Sequence, residues 1–405
     1  MSRRRLLSMG LGAASSVAVS ACAGTGERAQ ADDGLSVTVW APREDQTVSE
    51  GRWLQTQCEA FAAAHPEWRI EFRYGVCSDG YAFDSIVTDP AAAADVYLFS
   101  NGQIPGLVGC IGVAELGGTW VDEIRRSNSE TTVSTVTYEG GVYGFPFTSN
   151  TWFMYYDRSV FDEDDILSLD AMLEKGEVAF PLDTSWYIAA FYVANGCTLF
   201  GPDGTDGEAG IDFGGQRGRA VTDYLVDLVA NPRFSNGDVN TSSGAKAFFS
   251  GSWDYQKALN AYGDRLGVAP PPQVTIEGRL CQLRAFSGTK CVGCNPSTEL
   301  YRTHPEVAVA LAAHLGGTQA QLDHLRLRQV IPTDINIGTD DALAKAQMDT
   351  MAYASIVQPL QGGMKSYWAP AESMGKELVS RKVTHANSAQ KTEAMNTAMN
   401  TSVVE

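Results

Sequence analysis

The sequence is poor in cations, in histidine and in long apolar runs. Its 405 residues carry 30 Lys and Arg against 48 Asp and Glu, a formal net charge of -18. So acidic a surface disfavours nucleic acid and anionic membrane as partners, while helping solubility, and leaves neutral ligands as the natural expectation. The five histidines are scattered without metal-ligand spacing. His314 and His324 flank a Gly-Gly break and read as helix-surface residues, so no metal or other cofactor is expected. No G-x-S-x-G, H-E-x-x-H or Walker-type loop is present, and the near match to a dinucleotide glycine pattern falls inside the first 22 residues. Carboxylates are plentiful enough for a glycosidase pair. The densest run, Asp162-Glu163-Asp164-Asp165, reads instead as a solvated helix start, where acids favour the positive end of the dipole.

Cysteine is sparse and odd in number once Cys22 is set aside. Cys58, Cys77, Cys110, Cys197, Cys281, Cys291 and Cys294 demand no disulfide framework, and a chain this long needs none. Cys291-x-x-Cys294 has no second CxxC and no histidine at finger spacing, so packed or unpaired thiols are expected there. The longest mildly apolar stretch, Leu6 to Val19, is broken by Gly10, Gly12 and three serines. A membrane-spanning helix needs roughly twenty apolar residues, so this is no span.

What the first residues do contain is an export signal: Arg3, Arg4 and Arg5, then the weak apolar stretch, then Val19-Ser20-Ala21-Cys22. That tetrapeptide resembles the bacterial lipobox, which makes residues 1–21 a cleaved signal, Cys22 the lipidated first mature residue, and residues 22–34 a small-residue tether. Ser2-Arg3-Arg4-Arg5-Leu6-Leu7 also resembles a twin-arginine signal, so both export routes remain open.

Beyond the tether the rhythm is βαβ. Ser36 to Trp40 alternates and is β-branched, hence a strand; Leu54, Cys58, Phe61, Ala62 and His65 recur at helical spacing up to Pro66. Arg69 to Tyr74 and Asp95 to Phe99 supply two further strands. This predicts a parallel sheet with helices packed on it, and places ligand groups on the loops beyond the carboxyl ends of the strands. Two such loops are polar: Glu44, Asp45 and Gln46 after the first strand, and Ser100, Asn101 and Gln103 after the third. Further on, Gly201 to Gly218 reads as a surface loop before an amphipathic helix through Val221, Tyr224, Leu225 and Leu228. Thr303-His304-Pro305-Glu306 reads as a capping box opening a helix to Leu315.

Aromatics gather in the middle of the chain, from Tyr143 to Tyr156 and again at Trp186-Tyr187 and Phe191-Tyr192. Sugar rings present C–H patches that lie against flat aromatic faces, and their hydroxyls bond to amides, carboxylates and guanidinium groups. Aromatic and amide groups near loop and strand ends therefore have the composition of a carbohydrate cleft, whereas Trp53 and Trp68 read as core.

An ordered set of segments carries a family resemblance: Trp40 and its polar loop, the Asp95-Val96-Tyr97-Leu98-Phe99 strand, Tyr143-Gly144-Phe145-Pro146 leading to Tyr155-Tyr156-Asp157, Phe249-Ser250-Gly251-Ser252-Trp253, His304-Pro305-Glu306 and Tyr367-Trp368. Over roughly residues 35 to 400 the chain resembles the maltose-binding-protein-like group of extracellular solute-binding proteins. The resemblance implies an α/β, two-lobed periplasmic-binding-protein-like clamp with discontinuous lobes: residues 35–149 plus 288–339, and residues 150–287 plus 340–405. The hinge would lie near Thr148 to Trp152, Phe286 to Lys290 and Gly338 to Asp341.

The resemblance further implies a non-enzymatic, monomeric lipoprotein on the extracytoplasmic face of the cell membrane, which hands a linear oligosaccharide, first a maltooligosaccharide, to the permease of an ABC importer. A carbohydrate-active enzyme and a surface glycan-binding adhesin or sensor are the alternatives. Carried over residue by residue, Glu44, Asp45 and the adjacent Gln46 meet sugar hydroxyls. Ser100 and Gln103 stand where maltose binders have an aromatic and an acid, Asn150 where they have an acid, and Glu372 where they have an arginine. Trp152 follows Asn150; Trp186, Tyr187, Trp253 and Trp368 match the stacking positions.

Overall fold

The computed structural model describes residues 34–242, 244–338 and 341–401, so the lipobox at Cys22 and the tether before Gly34 lie outside the described residues. The βαβ reading holds at the start. Strand β1 (Ser36–Ala41) buries alternate side chains, helix α1 (Trp53–Ala64) follows, and β2 (Glu71–Val76) and β3 (Val96–Ser100) run parallel to β1 on its two sides. Trp53 is fully buried, with its indole N–H donated to the Ala320 carbonyl at 2.9 Å, and Trp68 packs half-buried on the same core.

This sheet is completed by chain from much later positions. A ten-residue strand, Ala285–Cys294, lies antiparallel to β3 on one edge and antiparallel to Phe145–Thr151 on the other, with Ser355–Val357 parallel to its first residues. The Phe145–Thr151 strand then passes through Trp152 directly into Phe153–Asp157, which belongs to a second sheet. There it lies antiparallel to Ala247–Ser250 and Leu266–Ala269, and the former is parallel to Val178–Phe180. Both faces of Phe153–Asp157 are covered, since Met154 and Tyr156 enter one apolar cluster and Phe153 and Tyr155 another. Continuous burial of a strand is the mark of a sheet packed on both sides. The molecule is thus α/β, two lobes each built on its own sheet and core, joined by strands that cross from one to the other.

Four local expectations are corrected. Thr303 is the last residue of a short helix, Glu299–Thr303, whose cap is Thr298; the following helix, Pro305–Leu315, starts with no side-chain cap. The glycine-rich loop ends earlier than Gly218, because the helix runs Gly215–Ala230; a Cβ on Gly218 would sit 1.9 Å from the Phe213 carbonyl oxygen, so that close approach needs glycine. The acidic run is exposed as expected at Asp162, Glu163 and Asp164 but not at its end: Asp165 is buried against Lys175 at 2.5 Å, and Asp162 accepts the N–H groups of Asp164 and Asp165. His324 is not a surface residue but is buried between Trp53 and Phe147, while His314 is half-buried against Phe61.

All seven described cysteines are free. Burial pushes Cys58 and Cys197 up to about 12 and raises Cys291 and Cys294 further, which leaves these thiols protonated and inert.

Candidate functional site

The loop after β1 tightens at once into the short turn Arg43–Asp45, which leaves Glu44 exposed and buries Asp45. Asp45 accepts from His324 Nε2 at 2.8 Å and lies 3.4 Å from Arg328 Nε. Burial opposes its ionisation, but His324, Arg328 and the more distant Lys290 outweigh that, and the carboxyl sits below its ordinary range. Gln46 is committed to backbone: its Nε2 donates to Ala41 at 2.7 Å and Gly75 at 2.9 Å, stitching the ends of β1 and β2 together.

The loop after β3 is likewise structural in this conformation. Asn101, 1% exposed, accepts the Thr289 N–H at 2.9 Å and donates to the Thr135 carbonyl at 3.1 Å. Gln103 accepts the Phe83 N–H and donates to the Asp79 carbonyl, both at 2.7 Å, and so fixes the turn that carries Asp79. Asp79 pairs at 2.6 Å with Lys290, the lone charged residue of the Ala285–Cys294 strand. The register of that strand slips beside Lys290: Thr148 faces Lys290 and Pro146 faces Cys291, so Phe147 is the extra, bulged residue. Proline has no N–H to give to the ladder, and a bulge there re-aims the neighbouring side chains.

From the other lobe, Trp253 comes over this group. Its indole is 39% exposed and its centroid stands 5.7 Å from Lys290 Nζ. Glu44, Asp45, Asp79, Lys290, Arg328 and Trp253 line one cavity of about 20 Å³. Room for a single water is all that this volume provides.

The remaining aromatics separate into two groups. Trp186 and Trp368, both half-buried, stack at 6.4 Å and 21° with Phe286 beside them. Trp152 and Tyr187 pack instead on each other, at 5.2 Å, and on Phe180. Trp152 is fully buried, edge-on to Phe180 and Phe249, and offers no face to a ligand in this conformation; Tyr187 is 9% exposed. Asn150 is half-buried on the crossing strand, opposite Gly288. Glu372 is paired with Lys376 on its own helix.

The structure thus brings Glu44, Asp45 and Trp253 together, pairs Trp186 with Trp368, and commits Gln46, Asn101 and Gln103 to backbone. Asp79, Lys290, His324 and Arg328 were missed by the sequence reading. One signal pointed to Lys290: a single lysine inside a ten-residue strand that is otherwise buried. No group of metal-ligating side chains exists among the described residues.

A model of the bacterial extracellular solute-binding protein family matches residues 56–350. The chain is similar to a solved structure with acarbose at 45% identity and a TM-score of 0.87, over 91% of this chain and 99% of that one. It shares its fold with maltodextrin binding protein MalE1 from L. casei BL23, without ligand, at 19% identity and a TM-score of 0.82, over 91% of this chain and 100% of that one. The fold is shared too with MalX from Streptococcus pneumoniae in complex with maltopentaose, at 18% identity and a TM-score of 0.72, covering 89% and 99% of the two chains. Among curated proteins none matches this sequence significantly.

Proposed function

Because the chain belongs to the bacterial extracellular solute-binding protein family, whose members bind without catalysis, we propose that it captures a linear oligosaccharide, first a maltooligosaccharide, by closure of its two lobes. The observation that carries this reading is the stacked pair of half-buried indoles, Trp186 and Trp368, at 6.4 Å, together with the half-exposed Trp253 above the charged cavity. Fully buried aromatics need no ligand to explain them; indoles left half-covered, one of them beside carboxylates, suit rings with apolar faces and hydroxyl rims. The solved neighbours with acarbose and with maltopentaose support the same ligand class.

The sugar-contacting set is Glu44, Trp186, Trp253 and Trp368, with Asp45 and Arg328 forming the polar floor. Tyr187 and Trp152 belong to the buried core of that lobe. The lobes divide as residues 35–149 plus 288–339 and residues 150–287 plus 340–405. A cavity of about 20 Å³ is far below the several hundred Å³ of an oligosaccharide pocket, so the lobes part to admit the ligand and close over it.

The bound sugar is delivered to the permease of an ABC importer, and Cys22 holds the protein on the outer face of the membrane by lipid. Calorimetry against linear oligosaccharides of different linkage tests the ligand: saturable binding of a maltooligosaccharide is expected, and silence across the panel refutes the sugar assignment. Incubation with the same sugars is expected to leave them unshortened. Mass spectrometry of the mature amino terminus, with release of Cys22→Ala into the medium, checks the anchor.

A further inference from the structure

We propose that Lys290 is a resident competitor of the sugar: its ammonium, held by Asp79 of one lobe, occupies the Trp253 indole of the other, and ligand binding must displace it. The inference rests on Trp253 being a sugar-stacking face.

Lys290 Nζ is 2.6 Å from Asp79 and 5.7 Å from the Trp253 centroid. That is within the range at which an ammonium is attracted to an aromatic face. Its side chain is 21% exposed and that of Asp79 12%, so both contacts are largely shielded from water. The charge is retained: burial works against it, but Asp79, with Asp45 and Glu44 behind, overrides that and raises the ammonium above its ordinary value. The bulge at Phe147 lies opposite Lys290 on the strand that crosses between lobes. Trp253 folds back over Gly251, whose added Cβ would fall 2.1 Å from its six-membered ring, so the indole has a defined seat.

The Lys290–Trp253 contact therefore spans the two lobes without ligand. A sugar ring and the ammonium cannot share that indole face at van der Waals distance. Closure over a sugar consequently exchanges one contact on Trp253 for another, and the affinity measured is the difference between them. By this reasoning Lys290 weakens sugar binding, the reverse of what a hydroxyl-binding lysine would do.

The test is calorimetry of the full mature chain with a maltooligosaccharide series, comparing wild type with Lys290→Met/Asp79→Asn, a pair that leaves neither charge buried alone. Tighter binding by about threefold to tenfold is expected, which corresponds to roughly 0.65 to 1.4 kcal/mol and lies within the range of a cation–π contact. In a Trp253→Ala background the same pair is expected to change affinity by less than twofold, which a general effect on stability would not produce. Lys290→Arg retains the charge and a face that stacks on indole, so it should bind no tighter than wild type; this single variant serves if the pair fails to fold. Equal or weaker binding by the pair overturns the proposal, as does a tighter Lys290→Arg. If the wild type binds no oligosaccharide at all, the sugar reading falls first and takes the proposal with it.

Discussion

Asp45 and His324, 279 positions apart, meet at 2.8 Å beneath the turn that presents Glu44. Arg328 joins them at 3.4 Å, so a buried carboxylate is held by an imidazole and a guanidinium from one helix, Thr318–Arg328, that packs against α1. Removing one member of a buried ion cluster leaves the others uncompensated, which costs about 3 to 5 kcal/mol. Asp45→Ala is expected to lose that much in urea unfolding. The pH dependence has a definite sign. Because the folded carboxyl sits below its ordinary value of 3.8, its contribution is complete above about pH 4 and is lost as pH falls through the lower, folded value. Wild type should therefore lose stability below pH 4 more steeply than Asp45→Asn, and parallel acid limbs would remove Asp45 as a cause.

The seat of Trp253 depends on Gly251, since an added Cβ would collide with the indole at 2.1 Å. The backbone at Gly251 is extended, with φ at -93°, so alanine strains nothing but that ring. Gly251→Ala is expected to swing the half-exposed indole away while changing thermal stability little. Trp253→Ala removes the face altogether and should weaken oligosaccharide binding more than tenfold. A stacked aromatic is worth roughly 1 to 3 kcal/mol, a magnitude taken from stacking on nucleic-acid bases. Gly251→Ala should fall between this variant and wild type; unchanged affinity in both would take Trp253 out of the site.

Strand and helix patterning made the first lobe legible, because Val37, Val39, Leu54, Cys58 and Phe61 obey periods of two and of about 3.6 that packing then enforces. The indoles were legible as candidates for a different reason: Trp186, Trp253 and Trp368 sit where strands or loops give way to helices. Amides misled. Gln46, Asn101 and Gln103 lie on loops where a sugar hydroxyl and a backbone carbonyl are interchangeable partners, and no periodicity tells them apart. Of the charge cluster only Asp45 was legible, since Asp79, Lys290 and His324 come from distant segments and acquire meaning only when the sheet closes. His324 looked like a surface residue for the same reason: its helix has no clear apolar stripe, and the partner that buries it lies 279 positions away.

The buried thiols give a check on the cores that is independent of any ligand. With Cys58 and Cys197 pushed up to about 12, their thiolate fraction at pH 8 is about one part in ten thousand, against roughly a quarter for an ordinary thiol. Native protein treated with iodoacetamide at pH 8 should be modified chiefly at the half-exposed Cys110, and all seven described cysteines should react after unfolding. Mass spectrometry of the peptides counts them. Fast labelling of Cys291 or Cys294 would mean that the crossing strand is open to solvent.

Trp186 and Trp368 are stacked on each other as well as placed for a sugar, so their contributions cannot be independent. Each also packs on Phe286, at 5.3 and 6.0 Å, and Trp368 meets Tyr367 edge-on at 5.0 Å. Replacing either with alanine removes its own face and loosens the other's, which makes the second substitution cheaper than the first. Trp186→Ala and Trp368→Ala are each expected to weaken binding more than tenfold, and the double variant by distinctly less than the product. The effect should also depend on chain length. Trp253 sits with the charge cluster around Lys290, and the stacked pair forms a separate aromatic surface, so short sugars held at the first should be least affected by loss of the second. Calorimetry with two-unit to five-unit maltooligosaccharides decides this: a constant factor at every length would mean that all three indoles serve one position, whereas a factor growing with length marks Trp186 and Trp368 as the extension that a linear chain requires.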